Sequence, residues 1–116
     1  MTLAVLLDLP GALAAFRFSD GGELTAHVVR EGTGITPLML ELLARSCVAN
    51  LAIAGMEARG WEALTGQAAF QPLTGLSVIG LEWSVVTGRD AAVVVRNRDA
   101  DYEAAFAALQ RIGGGA

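Results

Sequence analysis

The chain has 116 residues, 53% apolar and 17% charged, with eight basic against twelve acidic side chains and a net charge of −4. That length gives one domain with room for a modest core and no need of disulfides or metals. The lack of a basic cluster argues against nucleic acid as a partner, and the single cysteine, Cys47, rules out an internal disulfide or a thiolate metal cluster. The apolar excess in so small a chain favours a subunit interface.

The opening MTLAVLLDLPGALAA has small residues where a secretory leader would be cut. It lacks a positively charged start, and Asp8 and Pro10 interrupt its apolar run. No apolar run approaches the ~20 residues of a bilayer span, so the expectation is a cytoplasmic protein without membrane insertion, in keeping with the absence of disulfides. Thr2 to about Leu9 reads as a short helix capped by Thr2 and stopped by Pro10-Gly11. Residues 12–18 read as a strand, Ser19-Asp20-Gly21-Gly22 as a hairpin turn, and Leu24, Ala26 and Val28 alternate with polar neighbours in a half-solvated return strand.

Residues 36–60 then read as one long helix, with Thr36 as N-cap, Pro37 at the first helical position and Gly60 closing the end. At roughly 100° per residue its apolar side chains fall into two arcs. The broad one holds Leu40, Leu43, Ala44, Cys47, Val48, Leu51, Ala54, Gly55 and Ala58; the narrow one holds Leu38, Leu42, Ala49, Ile53 and Met56. A surface helix of a monomer needs one apolar stripe, so two stripes predict burial on two sides, by the chain's own sheet and by a second subunit. Leaving Leu38, Leu42, Ile53 and Met56 in water would forgo on the order of 6 kcal/mol or more, and symmetric dimers are the commonest remedy.

After an irregular segment to Pro72, strands are expected at about 73–79, 82–87 and 91–96, with Gly88-Arg89-Asp90 as a tight turn. The uninterrupted run Ala91–Val95 suits a central strand covered on both faces. A closing helix runs from about Asp101 to Ile112, with Tyr102, Ala105, Phe106, Leu109 and Ile112 on one side. Residues 1–112 thus make one α+β domain with a mainly antiparallel sheet, and Gly113–Ala116 a flexible tail.

No residue pattern announces catalysis. His27 sits on the polar side of its strand without a partner base or nucleophile in prospect. Cys47 lies in the broad apolar arc, where burial raises a thiol pKa. Gly32-Thr33-Gly34 lacks the lysine and full spacing of a phosphate loop. Asp99 and Asp101 read as helix caps, since an ion site needs more oxygens at fixed spacing. Of the two tryptophans, Trp83 is expected in the core and Trp61, with Phe70, at a groove for a ligand or partner. Neither a metal nor a cofactor is expected.

The element order resembles the roadblock / dynein light chain superfamily, related to profilin and longin folds. The stretches LDLPGALAAFRFSDGGEL, CVANLAIAGMEARGW, GLEWSVVTGRDAAVVVRN and ADYEAAF are similar to a small bacterial and archaeal roadblock-like family. The resemblance implies five strands in the order 2-1-5-4-3, the long helix on one face and the two terminal helices on the other. It further implies a homodimer joined through the long helix and the third strand, which places Leu38, Leu42, Ala49, Ile53, Met56, Leu76 and Val78 at the interface. Members of the superfamily are non-catalytic platforms, often beside small GTPases, and some bacterial ones stimulate a partner GTPase. Relatives in the narrower family are often encoded among sulfur-oxidation or other energy-metabolism genes. The resulting expectation is a non-enzymatic homodimeric scaffold or regulator acting with a small GTPase or a metabolic complex. The alternative is a small-molecule-binding sensory module of profilin-like shape, with its pocket between sheet and helix near Trp61 and Phe70.

Overall fold

Alternation and glycine placement shape the sheet. The computed structural model describes residues 2–112; the proposed glycine tail at 113–116 lies outside the described residues. Five strands, β1 (Ala12–Phe18), β2 (Leu24–Val29), β3 (Leu76–Ile79), β4 (Trp83–Thr87) and β5 (Ala91–Arg96), form one antiparallel sheet in the order β2-β1-β5-β4-β3. β5 lies at the centre because Ala91 to Val95 are all buried and no polar side chain interrupts them. Gly22, at φ 85°, supplies the left-handed residue of the β1–β2 turn.

Two helices give the sheet its two layers, α1 (Pro37–Thr65) and α2 (Tyr102–Ile112). On one face, Leu40, Ala44 and Cys47 of α1 pack with Phe16, Phe18, Ala92 and Val94. On the other, Ala105, Ala108, Leu109 and Ile112 of α2 join Leu3 and Leu6 against Ala15, Val86, Val93 and Val95. The alternation of odd and even residues along β5 between these two clusters is the period-two geometry of a strand.

Several expectations about element ends need correction. The N-terminal helix is a 3-10 helix, Leu3–Asp8, and Thr2 makes no side-chain cap. Thr36 does cap α1, its hydroxyl accepting from the Met39 N–H at 3.3 Å, but Gly60 does not end it. The helix continues to Thr65 and closes at Gly66, φ 74°, whose N–H donates to the Glu62 carbonyl. An interior glycine costs a helix only about 1 kcal/mol, and the good helix formers Glu62, Ala63 and Leu64 follow. β3 begins at Leu76, three residues later than expected, and the preceding Gly75 packs so closely that a side chain there would meet the Thr87 carbonyl and the Phe106 ring. Asp101 caps α2 by accepting from Ala104 N–H at 3.0 Å, whereas Asp99 sits in the preceding 3-10 turn, Asn97–Asp99, and does not cap it.

By length and average composition α1 is apolar enough to cross a membrane, although Glu41, Arg45, Glu57 and Arg59 interrupt its apolar run. In this fold its inner face is committed to the sheet through Leu40, Ala44 and Cys47.

Candidate functional site

The outer stripe of α1 leaves four large apolar side chains uncovered. Leu38 is 73% exposed, Leu42 64%, Ile53 55% and Met56 63%, and Ala49 lies open between them. The helical period that turns Leu40, Ala44 and Cys47 inward aims these side chains away from the sheet. Ala49 stands seven residues from both Leu42 and Met56, so the small side chain lies at the middle of the stripe. Beyond Ala58, the last buried residue of the helix, Leu64 extends the open face further.

β3 forms the sheet edge beside this helix. The register Leu76↔Thr87 and Val78↔Val85 sets Leu76 and Val78 on the α1 side of the sheet. Leu76 is half-buried, while Val78 and the following Ile79 are exposed. Between this edge and α1 runs an apolar cleft of about 200 Å³, lined among others by Leu43, Cys47, Val78 and Val85. Cys47 itself is buried there, and its thiol pKa is pushed up to about 11 by loss of solvent, partly offset by the Thr87 hydroxyl. A thiol so held stays protonated and is a poor nucleophile.

Trp61 and Phe70 do come together. Their rings meet edge to face with centroids 5.4 Å apart, a favourable aromatic geometry. With Ala54, Glu57, Ala58 and Leu73 they line a groove of about 300 Å³. It lies between the C-terminal half of α1 and the segment that follows it, not between helix and sheet as expected for a profilin-like pocket. Trp83 also departs from expectation: it is 37% exposed rather than in the core. It lines a further cavity with Arg96, Asn97 and Arg98, a grouping that sequence reading missed because no local motif joins β4 to the end of β5.

The remaining candidates stay apart from these surfaces. His27 is exposed on edge strand β2. Gly32 and Gly34 take positive φ in an open loop, whose Thr33 hydroxyl donates to the Arg30 carbonyl and accepts from Ile35 N–H. Asp99 lies 4.0 Å from Arg98, both exposed. Among the described residues no group of three His, Cys, Asp or Glu is placed to hold a metal ion.

The pattern runs through nearly the whole chain: a family model described as "Uncharacterized conserved protein (DUF2173)" matches residues 2–111. The chain belongs to this family. No curated protein sequence matches it. Among solved structures, the chain is similar to the gliding protein MglB of Thermus thermophilus, with 22% identity and a TM-score of 0.69 over 98% of this chain and 87% of that one. A Roadblock/LC7 domain from Streptomyces avermitilis gives a TM-score of 0.70 at 14% identity, over 95% of this chain and 87% of that one. An MglB in a tetrameric arrangement gives 0.69 at 22% identity, over 95% and 83%. At such identities the likeness is one of fold, and the fold of this DUF2173 member is roadblock-like.

Proposed function

We propose that this protein is a non-enzymatic, cytoplasmic homodimeric scaffold or regulator that acts with a small GTPase or a metabolic complex. The observation that carries the reading is the open stripe Leu38–Leu42–Ala49–Ile53–Met56 standing beside the free edge of β3. A second copy turned about a two-fold axis covers both at once, helix against helix and Leu76 and Val78 beside their own counterparts. An MglB of the same fold occurs in a tetrameric arrangement, which supports self-association as a use of this architecture. A paired helix layer would present one broad surface to a partner protein, and the superfamily resemblance makes a small GTPase the first one to try. Sedimentation of the purified protein over a wide concentration range tests the pairing. A species of one chain at every concentration overturns it.

The groove at Trp61 and Phe70 favours a second reading, a small-molecule-binding sensory module. Native mass spectrometry of freshly isolated protein separates the two. A stoichiometric ligand lost on Trp61→Ala supports sensing, and bare protein supports the scaffold.

A further inference from the structure

At the end of β4 away from Cys47 and Thr87, the sheet carries a corner of different chemistry from the rest of the surface. Trp83 of β4 lies directly opposite Arg96 of β5, so both side chains leave the same face of the sheet. With Glu82, Asn97 and Arg98 they line an open cavity of about 470 Å³, within the range of about 300–1,000 Å³ typical of small-ligand sites.

The frame of this corner is fixed by hydrogen bonds. Ser84, buried, donates to the Asn97 side-chain oxygen and accepts from the Tyr102 hydroxyl at 3.0 Å. The Asn97 amide donates to the Gly80 carbonyl at 2.8 Å, and its N–H donates to the Glu82 carbonyl at 2.8 Å. The Gly80 N–H in turn donates to the Trp83 carbonyl at 2.9 Å. Asn97 thereby ties the β3–β4 turn to the end of β5, and the backbone that carries Trp83, Arg96 and Arg98 is held in place before any ligand arrives.

The guanidinium groups are left available. Among the described residues, the Arg96 side chain makes no hydrogen bond or ion pair, and the carboxylate beside Arg98 is the exposed Asp99 at 4.0 Å. Arginine forks suit phosphate oxygens, and the partly exposed Trp83 indole can stack on a flat ring. The Glu82 carboxylate accepts from a hydroxyl but repels a bare anion.

We propose that this corner binds a nucleoside phosphate, with the base on Trp83, the phosphate on Arg96 and Arg98, and a ribose hydroxyl on Glu82. Two guanidinium groups serve one phosphate group, not the length of a nucleic-acid backbone. The site is separate from the outer stripe of α1, so its failure leaves the pairing of chains untouched.

The test uses the full chain carrying Trp61→Phe, so that indole fluorescence reports Trp83. AMP is titrated beside adenosine, inorganic phosphate and benzoate. Saturable quenching by AMP is expected, weakened about tenfold or more in Arg96→Ala and in Arg98→Ala. Thermal midpoints should stay unchanged, because both arginines are exposed. Adenosine and phosphate alone should each bind more weakly than AMP. Absence of saturation into the millimolar range, binding that ignores both arginine changes, or benzoate binding as tightly as AMP would each overturn the proposal.

Discussion

Replacing Leu42 and Ile53 together by aspartate is the sharpest test of the pairing surface. Each is more than half exposed in the single chain, at 64% and 55%, so neither substitution removes core packing. Full burial of such a side chain contributes roughly 1.5–3 kcal/mol, and the exposed share to be gained on pairing is therefore about 1–2 kcal/mol each. A two-fold dimer contains each residue twice, so the double variant forgoes roughly 4–8 kcal/mol before the cost of burying carboxylates. At 1.4 kcal/mol per decade that weakens the dimer about a thousandfold or more. Sedimentation equilibrium reads the constant, and circular dichroism confirms that the variant keeps its fold. In the proposed pairing, with Ala49 on the two-fold axis, Leu42 of one copy faces Met56 of its twin. Ala49→Cys in a Cys47→Ser background should therefore form an interchain disulfide on oxidation, whereas Glu41→Cys should not. A double-aspartate protein that sediments like the wild-type dimer would refute the reasoning outright.

Cys47 should react slowly with iodoacetamide at neutral pH when folded and quickly once unfolded in urea. The folded thiol holds its proton to about pH 11 against 9.0 for the free group. The unfolded state therefore loses its proton first, and stability is full below pH 9.0 and falls as the pH rises towards 11, at a limiting slope of about 1.4 kcal/mol per unit. Urea titrations across this interval should show that loss in the wild type and a smaller one in Cys47→Ala. Thr36→Ala removes the α1 cap and should lower unfolding free energy by about 1 kcal/mol in the same assay, with no change in sedimentation. Gly75→Ala drives a methyl group into the Thr87 carbonyl and towards the Phe106 ring. It should cost roughly 1–3 kcal/mol, read as a lowered thermal midpoint.

Strands β1, β4 and β5 were legible because alternation and apolar runs are local signals. Ala12–Phe18 and Ala91–Arg96 fall where the pattern puts them. The inward arc of α1 was equally plain, since Leu40, Ala44, Cys47 and Ala58 obey one helical period. Most of what escaped reading was tertiary. Gly60 looks like a stop until the helix formers after it are weighed, and nothing local to Gly75 signals its close approach to the Thr87 carbonyl of β4 and the Phe106 ring of α2. Trp83 has the composition of a core residue, yet it sits at the end of β4 on a stretch of sheet left open. Asp99 resembles a cap, but the 3-10 turn at Asn97–Asp99 sets it ahead of the helix. Of the candidate surface, the amphiphilic helix was visible early. The Trp83–Arg96–Arg98 corner was not, because only strand register joins its members.

The two rims of the sheet are unlike. β2 ends the sheet with Thr25 and His27 facing water, beside an irregularity in its pairing at Arg17/Phe18, features that discourage further strand addition. β3 instead offers Val78 and Ile79. If like rim meets like rim at β3, both sticky borders are consumed and only blunt ones remain outside. Growth by this route then halts after a single joining event, so the same surface that draws two chains together also keeps them from extending into a fibre.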